Sequence, residues 1–400
     1  MMIRFAENKR KPEVLTPAFM SLCRMFSEEN NDNTRRLHRM VPSYQPTPLI
    51  SLDALARRIG VRAVLLKDES ERFGLKAFKG LGGIYAMFRI LCRELELDPE
   101  ETTLEMLQGT PYQERIKQMV FATTTDGNHG KGVSWAAGIL GCKAYVYMPA
   151  GTVEVRAQAI RDAGNAEVTI TDMRYDDCVA WTAETARNNG WYLIQDTAWK
   201  GYEEIPRWIM QGYMTLYHEA LQQMKNMGFE QPSHIFLQTG VGSMAAAVAA
   251  AAVSAAPELP VIATVDPDEA ACFYESFAAG DGQLHKATGS EITMMAGLNC
   301  SIPCLTAWEI LSGCAAGGFS CADEVTCLGM KRLASPEGTD PAITSGESGA
   351  VTLGLTELLM TDPACEEIRT RLGLDRDSVV FLVSTEGDTD PENYRRITKE

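Results

Sequence analysis

No stretch of this 400-residue chain is apolar for long enough to cross a bilayer. The longest such run, Met244 to Ala256, is 13 residues of mostly alanine, against the roughly 20 that a spanning helix needs. Positive charge is also in short supply. Lys plus Arg number 37 against 53 Asp plus Glu, a net charge of −16, which repels phosphate backbones and anionic headgroups and argues against nucleic-acid and membrane-surface partners. The opening residues, MMIRFAENKRKPEV, put charges where a secretory signal needs a continuous apolar core, so a cytoplasmic protein is expected. The eleven cysteines are an odd number, and the densest group, Cys300, Cys304, Cys314, Cys321 and Cys327, has no Cys-x-x-Cys spacing. That disfavours a zinc site and a disulfide framework. Most thiols are expected to be free and buried; one local bridge, Cys272 with Cys300, stays open because spacing does not supply a Cα separation. A solenoid repeat and a Pro/Ser-rich linker are missing too, so domain boundaries have to come from where motifs fall.

What is present is the composition of an ordinary globular protein, 45% hydrophobic and 22% charged, long enough for more than one domain. Short apolar runs alternate with amphipathic segments, the pattern of βαβ units with covered parallel sheets, and the fold class is α/β. Strands are expected at Ala63 to Leu66, Val120 to Thr123, Ala144 to Met148, Val168 to Thr171, Tyr192 to Gln195, His234 to Gln238, Val261 to Val265 and Val379 to Val383, all rich in β-branched or aromatic residues. Helical spacing links Leu81, Ile84, Tyr85, Phe88, Leu91 and Cys92, and again Val133, Ala136, Ala137 and Leu140.

Five strand ends carry polar or glycine-rich turns. In KDESERFGLKAFKGLGG, Lys67 to Gly83, two lysines, Lys76 and Lys79, precede a helix whose first turn holds Gly80, Gly82 and Gly83. A cation at the positive end of a helix is unfavourable, and each glycine costs roughly 1 kcal/mol relative to alanine. A close backbone approach offsets the second penalty, and a desolvated lysine of lowered pKa is suited to a Schiff base. A lone lysine of this kind is more often a solvated surface residue. In VFATTTDGNHGKG, a strand runs through Thr123, Thr124 and Thr125 into a turn with Asp126, Asn128 and His129, which offers a base, a neutral donor and a titratable ring at a helix N-terminus, though such residues are usually only caps. The turn Thr239 to Ser243 is a phosphate-cradle candidate. It lacks the third glycine of a dinucleotide fingerprint, and the acidic Asp266 is followed by proline, so nicotinamide binding is disfavoured. SGESGAVTLG, from Ser345, and VVFLVSTEGDTD, with Ser384 and Thr385, repeat the theme, as does Asp196 after its strand. In an open α/β sheet that edge is where ligands bind.

Taken in order, Lys67-Asp68-Glu69, Phe78-Lys79, TDGNHG and the Gly240 to Ser243 turn resemble the fold-type II pyridoxal-phosphate enzymes, the class of threonine dehydratase and tryptophan synthase β. TTTDGNHG, QDTAW, PRWIMQGY, SGESGA and STEGDTD make the resemblance closer to the 2,3-diaminopropionate ammonia-lyases within it, from about Tyr44 to about Tyr394. The resemblance implies a two-lobed fold, each lobe a mostly parallel sheet flanked by helices, with 1–79 and 198–400 in a large cofactor-binding domain and 80–197 in a small one. It implies that Lys79, after Phe78, carries pyridoxal phosphate as a Schiff base, that Asn128 bonds the phenolic oxygen, and that Gly240, Val241, Gly242, Ser243 and Met244 hold the phosphate. Thr385 then faces the pyridine nitrogen. A hydroxyl does not stabilise a pyridinium as a carboxylate does, so the ring is a weaker electron sink and prompt β-elimination is favoured.

The implied reaction removes the α-proton by Lys79 on one face or Asp126 on the other, so that D and L substrates both fit, and expels the β-amino group, oriented by Asp196, as ammonia. Hydrolysis of the remaining aminoacrylate gives pyruvate and a second ammonia. Thr124, Thr125 and neighbouring amides are implied to bind the substrate carboxylate, and Glu347 and Ser348 to line the cofactor pocket. Relatives of this kind are mostly homodimers. Position 76 departs from the pattern, being lysine where an uncharged polar residue is expected. Two alternatives stay open: a serine or threonine dehydratase, and a paralogue that binds the cofactor without turnover. Two carboxylates, Asp126 and Asp196, suit a cationic leaving group and favour the lyase.

Overall fold

The computed structural model describes residues 2–9, 16–125, 127–256 and 258–399; Asp126, expected as a base, lies outside them. In chain order the strands are β1 (Ile3–Glu7), β2 (Leu49–Ser51), β3 (Ala63–Asp68), β4 (Val120–Thr124), β5 (Lys143–Met148), β6 (Ala166–Ile170), β7 (Tyr192–Leu193), β8 (His234–Gln238), β9 (Val261–Pro267), β10 (Ala315–Cys321) and β11 (Val379–Ser384). They form a seven-stranded sheet of order β1-β10-β9-β8-β11-β3-β2 and a four-stranded sheet of order β6-β5-β4-β7. Only β1 on β10 and β2 on β3 pair antiparallel; the other neighbours run parallel. The chain divides into two compact units, one of residues 1–28, 46–71 and 216–400, the other of residues 29–45 and 72–215. Residues 29–45, 72–79 and 198–215 thus group with the smaller unit, outside the 80–197 drawn from the motifs.

Three strands carry no sequence expectation. β10 reads AAGGFSC, and glycine has a low strand propensity. Its glycines answer to packing: a Cβ at Gly317 would lie 2.2 Å from the Ala6 carbonyl on β1. β1 is an edge strand and β2 has three residues, both too weakly patterned to announce themselves. β7 stops two residues short of the expected Gln195 because a side chain takes over its pairing. Ile194 still donates to the Ala122 carbonyl at 2.8 Å. The Gln195 carboxamide then accepts from the Thr124 amide at 3.0 Å and donates to the Thr124 carbonyl at 3.1 Å.

The large sheet is buried on both faces, as near-continuous apolar strands require. One side packs Val64, Leu66, Phe236, Val265 and Leu382 into a single cluster with Leu355 and Leu359 of the helix Glu347–Thr361. The alanine-rich helix Ser243–Ala255, too short for a membrane, is buried at every position from Ser243 to Val253. An all-apolar helix belongs inside, and small side chains let the helices Leu305–Cys314 and Pro17–Arg24 pack against it. No described helix is long and apolar enough to cross a membrane. All eleven cysteines, Cys272 and Cys300 included, are free thiols.

In the smaller unit three helices meet with almost no side chains between them. A Cβ at Gly132, on the helix Asn128–Leu140, would lie 3.0 Å from the Gly80 nitrogen and from the Lys79 carbonyl carbon. One at Gly212, on the helix Glu204–Asn226, would lie 2.4 Å from the Leu81 carbonyl oxygen and 2.6 Å from Gly82 Cα. Glycine's cost inside a helix is offset here by backbone-to-backbone packing, and that packing fixes the start of the helix Gly80–Leu95, where Lys79 is the N-cap.

Candidate active site

Each sheet breaks its strand order once in a way that opens a crevice. In the small sheet the chain leaves β4 toward β5 and β6, then returns as β7 on the other side of β4. In the large sheet β8, β9 and β10 step one way while β11 inserts between β8 and β3. Ligands bind outside the carboxyl ends of the strands at such switch points. The sequence-expected residues fall there: Thr124, Thr125, Asn128 and Asp196 beyond β4 and β7, Gly240 to Met244 and Thr385 beyond β8 and β11.

In the smaller unit the centre is a lysine–carboxylate pair. Lys79 Nζ donates to Asp196 Oδ2 at 2.5 Å, the lysine side chain 18% exposed and the aspartate 8%. Burial pushes the Asp196 carboxyl up, but the charges of His129 and Lys79 and the Lys79 hydrogen bond outweigh it and hold the pKa at about 2. His129 Nε2 bonds the Ile194 carbonyl at 2.8 Å, and Nδ1 stands 3.7 Å from Asp196. Burial lowers the histidine pKa, and the Asp196 charge opposes that shift; Nδ1 has no hydrogen-bond partner among the described residues.

Aromatic rings frame the amine. Lys79 Nζ lies 5.4 Å from the Phe78 ring centroid and 5.9 Å from that of Tyr213, and the two rings meet edge to face at 4.8 Å. Tyr213 is fully buried, with no hydrogen-bond partner for its hydroxyl among the described residues. Upstream of Lys79 the turn is strained, with Phe73 at φ 56° and Lys76 at φ 57°. Phe73 stacks on Trp135 at 4.5 Å, and Lys131 Nζ donates to the Leu75 carbonyl at 2.8 Å. Lys76 is half-buried. Burial and, after it, the Lys76 charge lower the Lys131 pKa.

The three threonines diverge. Thr123 donates to Gln195 Oε1 at 3.1 Å. Thr124 has its hydroxyl on Thr182 Oγ1 at 2.8 Å and both peptide groups on Gln195, so each of its polar groups is committed to protein. Thr125 Oγ1 accepts from the Gly127 and Gly130 amides at 3.0 and 3.1 Å. It holds the Gly127 N-cap and the first turn of the helix that Asn128 opens, and its own hydroxyl proton has no acceptor among the described residues. Gln195 was missed as a site residue, although QDTAW contains it: it ties β4 to the segment that presents Asp196, and reaches Tyr175 Oη at 3.3 Å.

In the larger unit β8 runs into Thr239, Gly240, Val241 and Gly242, and the helix Ser243–Ala255 begins. Gly242 has φ +89°, and a Cβ there would meet the Phe273 ring at 2.3 Å. Because the N-cap is glycine, no cap side chain occupies the first turn, and the helix presents the backbone N–H groups that an anion needs. Asp266 braces the turn from behind, accepting from Thr239 Oγ1 and, at 2.8 Å, from the Tyr274 amide. Burial pushes its carboxyl up to about 7. Thr385 follows β11, its Oγ1 accepting from Gln238 Nε2 at 3.2 Å. Ser348 Oγ is buried without a hydrogen-bond partner among the described residues. Glu347 accepts from Asn393 Nδ2 at 2.5 Å, and burial first, then Glu386, raises its pKa; the side chain is tied to the C-terminal helix.

Each unit carries groups of the kind pyridoxal phosphate needs: the smaller a primary amine that can meet an aldehyde, the larger a glycine-capped helix N-terminus suited to a phosphate and a threonine hydroxyl suited to a ring nitrogen. The chain also matches the family model described as "Pyridoxal-phosphate dependent enzyme" over residues 41–363. It is 46% identical over 377 residues to Diaminopropionate ammonia-lyase of Escherichia coli (strain K12), covering 94% of this chain and 93% of that one. The crystal structure of the Escherichia coli enzyme in complex with D-serine superposes with a TM-score of 0.90 at 44% identity, over 99% of this chain and 96% of that one. Its complex with an aminoacrylate-PLP azomethine reaction intermediate gives 0.89 at 44% identity, over the same shares. The chain belongs to the pyridoxal-phosphate-dependent enzymes, among the diaminopropionate ammonia-lyases.

Proposed function

We propose that this protein eliminates ammonia from 2,3-diaminopropionate of either hand, giving pyruvate and a second ammonia. The observation that carries this reading is the Lys79–Asp196 pair, an amine at a rigid helix start against a buried carboxylate held ionised far below neutral pH. Bound pyridoxal phosphate supplies the electron sink that makes a Cα–H bond acidic. Lys79 would hold that cofactor covalently until the substrate amine displaces it, and the lysine amine so released would take the α-proton from one side of the substrate. Asp126 serves the opposite side. Asp196 receives the cationic β-substituent, which an ionised carboxylate attracts and a serine hydroxyl does not match. Thr125 donates its hydroxyl proton to the substrate carboxylate. The Gly240 to Met244 turn takes the phosphate, Asn128 the phenolic oxygen and Thr385 the ring nitrogen, with Phe78, Glu347 and Ser348 lining the cofactor.

The test is pyruvate release by the cofactor-loaded protein from D- and L-2,3-diaminopropionate separately, with D- and L-serine and L-threonine beside them. Rapid turnover of both diaminopropionate enantiomers is expected. Turnover of only one removes a base, and activity confined to hydroxy amino acids replaces the reading with a dehydratase. A cytoplasmic homodimer completes the proposal; the net charge of −16 and the absence of a membrane-length helix among the described residues support a water-borne assembly. Light scattering of the holoenzyme that gave a monomer mass would remove the dimer.

A further inference from the structure

Gln238 closes β8 beside the glycine turn, and its side chain is buried to 2% exposure. Its Nε2 donates to the Val383 carbonyl at 2.7 Å and to Thr385 Oγ1 at 3.2 Å. Val383 fixes which end of the carboxamide faces β11, because a peptide carbonyl only accepts and a rotated amide would set two oxygens against each other. With one N–H on Val383, the other is the hydrogen that reaches Thr385. One of the two lone pairs of the threonine oxygen is then taken and its proton has to leave in another direction; if the second lone pair accepted from a protonated ring, that proton would need a different acceptor. Among the described residues no hydrogen-bond acceptor takes that proton.

A hydroxyl without such a neighbour is indifferent: it donates to a bare ring nitrogen or accepts from a protonated one by rotating about Cβ–Oγ. We propose that Gln238 is a positioning residue which removes that choice, committing the Thr385 hydroxyl to donate so that the ring nitrogen of the bound cofactor is met as an acceptor and kept unprotonated. This rests on the reading that Thr385 faces that nitrogen. A second feature sets the side chain apart from ordinary core packing. Gln238 Oε1 is buried with no hydrogen-bond partner among the described residues, a penalty that an apolar isostere would not carry. The fold tolerates an orphaned oxygen in order to aim an amide.

The test uses the holoenzyme loaded with cofactor labelled with 15N at the ring, whose nitrogen chemical shift reports protonation directly. The wild type is expected to show an unprotonated nitrogen across pH 7 to 8; a protonated one overturns the inference while leaving a Thr385 contact possible. Gln238→Met is expected to keep the cofactor, to lower kcat by about fivefold, the scale of one net hydrogen bond, with KM within about twofold, and to make the ring nitrogen titrate in that range. Thr385→Val is expected to shift the nitrogen as well, and adding Gln238→Met to it is expected to change nothing more. A Gln238→Met enzyme with wild-type shift and kcat, beside a displaced Thr385→Val, removes the role of Gln238 alone. An unmoved Thr385→Val removes the Thr385 contact and the inference with it. Should Gln238→Met fail to load cofactor, the wild-type shift still decides.

Discussion

Two lysines, twelve residues apart in sequence, each pair with a buried carboxylate to different ends. Lys67 on β3 is completely enclosed, and its Nζ donates to the Thr47 carbonyl at 2.6 Å, Glu219 at 2.8 Å and Gln223 at 3.1 Å. An ammonium has three N–H bonds, and here each has an acceptor supplied by the fold. Lys79 also meets a buried carboxylate, but its side chain keeps 18% exposure and its flanks are the rings of Phe78 and Tyr213. Burial and a carboxylate partner do not make a lysine reactive. What separates the two is whether the surroundings close around the amine or leave it a route to another molecule. The carboxylates repeat the lesson. Asp196 and Asp266 are both buried, yet the charges of His129 and Lys79 hold one at about 2 while burial pushes the other up to about 7.

The contrast breaks most visibly at Lys79. Lys79→Ala is expected to lower pyruvate formation by about 10⁴-fold or more, and Lys76→Ala by a few-fold; the reverse order, in the same coupled assay, would move cofactor attachment to Lys76. Lys67→Met should leave activity per folded, loaded molecule intact but cost about 3–5 kcal/mol of stability, because the buried Glu219 carboxylate loses the ammonium that balances its charge. Denaturant unfolding checks this, with Lys67→Met/Glu219→Leu recovering most of the loss. If Lys67→Met instead abolished turnover in a stable protein, the distinction between the two lysines would fall.

Asp196→Asn is expected to lower kcat on diaminopropionate by about 10²-fold while serine turnover falls less. It also alters the acid limb of stability. A carboxyl whose folded pKa lies below its unfolded value stabilises above about pH 4, and that contribution disappears as pH falls toward 2; thermal melts of the variant should lack this component. Asp266 has the opposite sign. Its folded pKa of about 7 lies above the unfolded value, so its contribution declines as pH rises from about 4 to 7 and is flat beyond. Asp266→Asn should remove that slope and raise the melting temperature at pH 8 by about two to four degrees, the smallest of these effects.

Much of this arrangement was legible because parallel strands gather their carboxyl ends at one edge, so polar turns after β4, β7, β8 and β11 had to share two crevices. The lysine and the glycine turn were marked by the penalties they incur locally. Residues that act through one carboxamide were not. Gln195 and Gln238 look like ordinary strand ends, and only the fold reveals which carbonyl each one faces. Nor does a run of three threonines say which hydroxyl is spent: Thr124 turns inward to Thr182, while Thr125 accepts from the Gly127 and Gly130 amides. β10 was hidden by the glycines that let it lie against β1.

The crossing of Gly82 and Gly212, with Gly132 against Lys79, bears on how this catalyst can be altered. A methyl group at any of the three would displace a helix backbone and carry the Lys79 amine with it. A mutant library aimed at a new leaving group should hold these positions constant and diversify the rim, where a changed side chain alters what is admitted without moving Lys79. The same rigidity limits natural drift: substrate range can widen one contact at a time, whereas relocating the amine would require several helices to change in one step.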